Sequence, residues 1–351
     1  MRRLMLLLLV LMLPAVAFAL PGTPYDPATM LYYPQLTPDQ QVIFDACYDA
    51  ALNGREDVTL PDGTAYDDAV AAVKALLMDC PELCALSGSY SVRYYRDEPQ
   101  VARGLLLEYD MPVERQVTLV RTAGALAARA QGDDFAREVF LHDRLLETAA
   151  YTAGAPHSHS AYGALVEGQA VCDGYANAMT LLMRMAGLRC GTVSGRATAD
   201  PGVLHAWNVV RVDGVWTLLD ATNNDQSAGG TYFFFNVTDE WMRRDYVPDA
   251  ALPLPRCTDA SANWHVRQGL MIPQEADQER AILTMLRRMA QNGGTISLRF
   301  EDESAYRALL NDPAGWVMRY NDVAAPGEEL PTGTIRTWFR DEQRCLILAI
   351  E

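Results

Sequence analysis

The sequence predicts an α+β protein, on three observations. Half of its 351 residues are apolar, enough for a substantial core. Helical apolar spacing dominates up to Met185, and short alternating segments follow between Cys190 and Leu219. An Asp213-Gly214 pair joins two of those segments, a strong two-residue signal for an antiparallel hairpin. At roughly 100–200 residues per domain, the length leads us to expect two folded units.

Arg2 and Arg3 precede an apolar run from Leu4 to Leu13, then Pro14 and Ala17-Phe18-Ala19. A charged start, a short apolar stretch and a small-residue cut site form a secretory signal peptide, assigned to residues 1–19. The expected location is therefore secreted or extracytoplasmic, at the cell surface. The apolar run is interrupted by Pro14 and shorter than the roughly 20 residues a spanning helix needs, so no stable membrane insertion is expected after cleavage.

Beyond an extended lead-in rich in Pro and Tyr, Thr37-Pro38-Asp39 opens a helix with a cap residue and a proline in its first turn. A second helix is expected over about 66–78. Strands follow at Ser89–Tyr95 and Leu105–Tyr109. Two long helices occupy about 113–130 and 133–151. A Gly/Ser/His loop at 153–160 leads into Cys172–Met185, whose apolar residues Tyr175, Met179, Leu182 and Met185 share one helical face, with Gly187 as a natural stop. Strand patterns then cover Cys190–Ser194, Leu204–Val212 and Val215–Leu219. Residues 245–275 hold four of the 19 prolines and little periodicity, the mark of a linker or irregular segment. The remainder reads as a helix at Gln278–Gln291, a strand at Thr295–Phe300, a helix at Glu303–Leu310, and strands at Thr334–Phe339 and Cys345–Ile350.

The formal net charge of −16 excludes one large class of function. A chain this acidic holds a polyphosphate backbone only through a local basic stripe, and none is visible, so no nucleic-acid partner is expected. Lys74 is the only lysine among 29 basic residues. Seven cysteines are an odd number for an exported chain, so at least one is free or paired between molecules. Cys80 and Cys84 lack metal-site spacing, and no second Cys/His pair answers them. No phosphate-cradling glycine loop, paired-carboxylate motif or zinc signature appears, so neither cofactor nor metal is expected.

Cys172, His205 and Asp220 stand out by their settings. Cys172 lies in the first turn of its helix, where unpaired amides and the helix dipole favour a thiolate and can receive an oxyanion. Counting from a two-residue turn at Asp213-Gly214 pairs Val212 with Val215. His205, Trp207, Asp220 and Thr222 then share a face, and His205 and Asp220 become diagonal cross-strand neighbours. That arrangement suits a carboxylate orienting an imidazole whose other nitrogen faces a thiol. Tyr162 and Gln169, just upstream of Cys172, are candidates for an oxyanion donor or loop packing. Trp207 is a candidate wall for an acyl slot or a core filler. His142 reads as a structural histidine.

Val171-Cys172-Asp173-Gly174-Tyr175-Ala176, Gly187-Leu188-Arg189-Cys190, Val193-Ser194-Gly195, His205-Ala206-Trp207-Asn208 and Leu219-Asp220-Ala221-Thr222 together resemble the transglutaminase-like superfamily. Within it the flavour is that of a bacterial exported branch akin to the kyphoscoliosis-peptidase group. His142-Asp143-Arg144-Leu145 and Ser160-Ala161-Tyr162-Gly163-Ala164-Leu165 extend the resemblance, which covers about residues 130–245. Pro81-Glu82-Leu83 also resembles the segment preceding such domains.

The resemblance implies a papain-like core with the cysteine at a helix N-terminus packed on an antiparallel sheet. Cys172 would be the nucleophile, His205 the general base and acid, and Asp220 the orienter. The reaction implied is attack on an amide carbonyl to give a thioester, resolved by water or by an amine. Hydrolysis is favoured over Gln–Lys cross-linking, with a protein or peptide substrate, cell-wall peptides among the options. The alternative is a weakly active or inactive cell-surface binding or scaffolding module on the same fold. The expected organisation is a helical/β unit over 20–112, the catalytic domain over 113–245, a linker over 246–275 and a small α/β unit over 276–351.

Overall fold

The computed structural model describes residues 25–225, 231–249, 252–274 and 277–351. The signal peptide expected at 1–19 lies outside the described residues. Thr37 and Gln40 cap one another's backbone amides at the start of α1 (Pro38–Leu52), with Pro38 in the first turn. After β1 (Asp57–Thr59) comes α2 (Tyr66–Asp79), then β2 (Leu86–Tyr94) and β3 (Ala102–Tyr109). These strands form a small antiparallel sheet in the order β1-β3-β2.

Next in the chain are α3 (Glu114–Ala127) and α4 (Asp134–Thr148), the latter capped by the Asp133 side chain. The helix expected to reach Tyr151 stops at Thr148. Ala150 and Tyr151 instead form β4 (Ala150–Tyr151), paired in parallel with β5 (Gln169–Ala170). That pairing gives backbone hydrogen bonds to the chain just ahead of α5 (Cys172–Met185), a tertiary demand that local helical spacing cannot reveal.

The central sheet contains β6 (Arg189–Ala197), β7 (Leu204–Val212) and β8 (Val215–Leu219). Asp213 and Gly214 both take positive φ, 48° and 86°, as a tight primed hairpin turn requires. The ladder runs from Val212 opposite Val215 to Asn208 opposite Leu219, the register expected from the sequence. Short helices α6 (Ala221–Asn224) and α7 (Asp239–Met242) follow, then β9 (Tyr246–Pro248), giving the antiparallel order β8-β7-β6-β9.

The stretch expected as a linker over 246–275 is thus more than a connection. Its first residues close one edge of the central sheet. It also carries α8 (Trp264–Arg267) and β10 (Met271–Ile272), the latter pairing in parallel with β11 (Thr295–Phe300). Pro248 ends β9 opposite Gly195, where the missing amide is tolerated at the sheet edge, and Pro253, Pro255 and Pro273 lie outside the strands. The C-terminal unit is completed by α9 (Gln278–Gln291) before β11, and by α10 (Glu303–Asn311), α11 (Pro313–Val323), β12 (Ile335–Arg340) and β13 (Cys345–Ile350) after it, in the sheet order β10-β11-β13-β12. Helix α11 was not expected; Asp312 caps it ahead of Pro313.

Two buried clusters lie on opposite faces of the central sheet. On one face Cys190, Val210, Val212 and Leu219 pack under α3, α4 and α5. On the other, Val193, Trp207, Val209 and Leu218 pack against α1, α2 and β3. The N-terminal elements therefore share their core with the sheet, because alternation along β6 and β7 leaves a second apolar face that must be covered. The C-terminal unit has a cluster of its own around Ile282, Leu298 and Leu348.

Candidate active site

Helix α5 carries Cys172 at its first position, after the extended residue Val171. Gly174 makes this start possible, because a Cβ there would meet the Ser158 carbonyl oxygen at 2.2 Å. Val171 donates its amide to that same carbonyl, and Asn177 Nδ2 reaches the His159 carbonyl at 3.2 Å. The 157–160 loop is thereby pinned to the first turn. One turn further along, Asn208 of β7 donates to the Ala176 carbonyl at 2.8 Å and to Thr180 Oγ1 at 2.9 Å. These buried bonds, each contributing about 1 kcal/mol, fix the helix against the strand that carries His205.

His205 Nε2 lies 2.7 Å from Asp220 Oδ2. Asp220 leaves the hairpin ladder here: its amide donates to the Phe234 carbonyl rather than to β7, and its Oδ1 caps α6 at Asn223. The Cys172 side chain lies next to the same ring, close enough to act on its charge. Burial disfavours the charged ring, but the Asp220 carboxylate and Cys172 outweigh it and raise His205 to about 10. Asp220 is fully buried; burial pushes its carboxyl up, yet His205 and Asn223 together hold it below the ordinary range.

Two residues complete the setting without having been assigned to it from sequence. Asn223 Nδ2 donates to Asp220 Oδ2 at 2.6 Å and to the Tyr246 hydroxyl at 3.0 Å, and lies 3.2 Å from His205 Nε2. Its position three residues after Asp220 is an N-cap spacing, the one signal that marks it. Tyr246 stacks on His205 with ring centroids 4.1 Å apart. It belongs to the short strand β9 in a stretch without periodicity, so nothing local points to it.

The remaining candidates separate. Trp207 shares the His205 face, with ring centroids 6.1 Å apart, but is only 1% exposed and belongs to the core. It therefore fills the core and does not wall a slot. Gly195 makes room for it, since a Cβ there would meet the indole at 2.4 Å. Tyr162 is half-buried under the Arg115 guanidinium and beside His157, a packing role. Gln169 is exposed on β5, three residues before Cys172. His142 is buried between Asp143 and Asn224.

All seven cysteines are free. Six are buried, and burial pushes their thiols up, to about 11 for Cys345 and about 12 for Cys47, Cys84, Cys190 and Cys257. Cys172 alone of the seven is not buried. A cavity of about 410 Å³ lies between the N-terminal elements and α5, with Leu83 and Met111 on one wall and His159, Asp173, Thr192 and Ser194 on the other; it comes as near the triad as Asp173, and Cys172, His205 and Asp220 do not line it. Among the described residues, no three His, Cys, Asp or Glu side chains are grouped to hold a metal ion.

Residues 122–221 match the model of the transglutaminase-like superfamily. The chain carries a transglutaminase-like core. The match is to the superfamily at large and singles out no branch within it. It ends one residue after Asp220, so Asn223 and Tyr246 lie beyond it. None of the curated proteins matches this sequence. Among solved structures, one described as a TGase aligns at 14% identity and a TM-score of 0.30, over 40% of this chain and 45% of its own. A cysteine protease candidate from Cytophaga hutchinsonii aligns at 17% identity and a TM-score of 0.27, over 38% of this chain and 61% of its own. The chain thus spans less than two thirds of either.

Proposed function

We propose that this protein is an exported thiol enzyme that cleaves amide bonds in a protein or peptide substrate, cell-wall peptides among the options. The observation that carries the reading is one imidazole 2.7 Å from the Asp220 carboxylate with the Cys172 side chain next to it at the start of α5. The sulfur gives its proton to His205 and attacks the carbonyl carbon. The resulting oxyanion is received by first-turn amides of α5, which have no intrahelical acceptor. Exposed Gln169 is placed early enough in the chain to add a side-chain donor. His205 then returns the proton to the departing amine, leaving a thioester on Cys172. Water attacks the thioester with His205 as base, releasing the carboxylate and restoring the thiol. Asp220 keeps the ring in the orientation and tautomer that both halves need.

Water is the favoured acceptor because a cross-linking enzyme must exclude water from its thioester, and the cavity that approaches the helix start mixes Asp173, Ser160, Thr192 and Ser194 with its apolar side chains. Iodoacetamide should label Cys172 ahead of the six buried thiols, and labelling should fall sharply in His205→Ala. Equal labelling in the variant would refute the coupling. With peptide substrates, release of new amine termini without incorporation of a labelled alkylamine marks hydrolysis; the reverse marks transamidation.

A further inference from the structure

The segment that follows Asp220 folds back across the site and is gripped from the far side by the C-terminal unit. Arg340, at the end of β12, bonds Asp245 through Nε at 3.0 Å and through a second nitrogen. Gln343, in the turn between β12 and β13, donates to the other oxygen of Asp245 and to the Trp241 carbonyl at 2.9 Å. Asp245 is 2% exposed at its side chain, and its neighbour in the chain is Tyr246, which stacks on His205. Arg299 of β11, itself buried, donates to the Phe233 carbonyl and lies 4.3 Å over the Trp241 ring. The next residue, Phe234, accepts the Asp220 amide at 3.0 Å and carries the Arg340 guanidinium over its ring. Three C-terminal side chains thus hold both backbone stretches that touch the proposed triad.

We infer that the C-terminal α/β unit is a positioning element of the active site, in which Arg340 and Gln343 clamp Asp245 and thereby hold Tyr246 against the His205 ring. This rests on the proposed acyl-transfer reading only for its catalytic consequence; the geometry it concerns is that of thiol and imidazole. A unit serving merely as packing needs no buried carboxylate gripped by two of its side chains beside the strand whose Tyr246 stacks on the ring. The titratable groups facing His205 itself are Asp220 from the β8–α6 junction and Cys172 from α5. Asn223, Trp207 and Tyr246 supply the uncharged walls. Releasing Tyr246 opens one of those walls to water, which screens the Asp220–His205 attraction and lets the ring tilt away from sulfur.

The test is the pH profile of Cys172 alkylation by iodoacetamide in the full chain, without any substrate. Arg340→Gln should slow alkylation at neutral pH about tenfold, equivalent to about 1.4 kcal/mol, and move the profile toward that of an ordinary thiol. Gln343→Ala should do so less, and Arg340→Lys should recover part of the loss. Tyr246→Leu, which leaves the Arg340–Asp245 pair intact, should reproduce the shift and covers the case in which Arg340→Gln does not fold. A folded Arg340→Gln with the wild-type profile overturns the inference, as does a folded Tyr246→Leu with the wild-type profile. Failure of the acyl-transfer reading is separate: it shows as wild-type protein that turns over no amide while the variants still shift the alkylation profile as described.

Discussion

At the first turn of α5, Cys172 reaches the surface beside a His205 ring that is 9% exposed, with a cavity that comes as near as Asp173. At its last turn, Arg184 is sealed completely. Its guanidinium bonds the Asp79 carbonyl and the Glu82 carboxylate, and Nε lies 3.4 Å from Thr29 Oγ1. Asp79 in turn accepts the amides of Leu31, Tyr32 and Tyr33 at 2.7–2.9 Å, pinning the N-terminal segment beneath the sheet. Burial raises Asp79 to about 6 against those bonds and Arg184. Both ends concentrate charge. At one end a single face is left for a reacting atom; at the other every face is occupied by protein.

That difference predicts two variants with opposite signatures. Cys172→Ala should abolish amide cleavage, by roughly 10⁴-fold or more as expected for residues that act as a unit. It should leave the urea midpoint nearly unchanged, since the residue is half-exposed. Arg184→Met should do the reverse. It strands Glu82, leaving it Tyr48 at 3.3 Å and the neighbouring Cys80 but no cation, and such stranded buried charges cost about 3–5 kcal/mol. The molecules that remain folded should alkylate Cys172 at the wild-type rate. Removing Glu82 as well, in Arg184→Met/Glu82→Leu, should return most of the lost stability. If the double variant is no better than the single, the cluster does more than balance its own charge.

What the sequence made legible tracks how local each cause is. The register of the β7–β8 hairpin follows from two turn residues, so counting puts His205 and Asp220 on one face, although Asp220 itself leaves the ladder to bond Phe234. The bounds of α5 follow from apolar spacing and Gly187. Tyr246 and the Arg340–Asp245 clamp are the contrary case. Tyr246 sits in a three-residue strand whose partner, β6, lies 49 positions earlier at Ala197, and Arg340 is a further 95 residues from Asp245. Neither has a local pattern that distinguishes it from an exposed residue of a linker. Trp207 was ambiguous because its face was legible while the depth of that face was not; α1 and α2, which cover it, come from far upstream.

Glu138 tests whether pairing is what makes the sealed charges tolerable. It lies on α4, fully buried, with Asn236 Nδ2 at 2.6 Å from one oxygen and no hydrogen-bond partner for the other. Burial raises its carboxyl to about 8; the Asn236 bond opposes this, Asp213 and Asp134 add to it, and Arg267 opposes it weakly. The sign follows from linkage. A carboxyl whose folded pKa lies above the unfolded value of 4.5 binds its proton better when folded, so its contribution is complete below about 4.5 and is lost as pH rises through about 8. Asp79 has the same sign, but its window closes near 6, which separates the two. Between pH 6 and 8 Glu138 should therefore lower the wild-type stability by up to about 1.4 kcal/mol per unit, beyond what His205, raised to about 10, loses above its unfolded value, and Glu138→Gln, which keeps the Asn236 bond, should reduce that slope and be the more stable protein at pH 8. Urea midpoints for both proteins at pH 5, 6, 7 and 8 measure this directly. An equal slope in the variant would mean that Glu138 stays ionised in the core with a cation or water supplying what Asn236 does not, and would place it with Arg184 among the fully partnered charges.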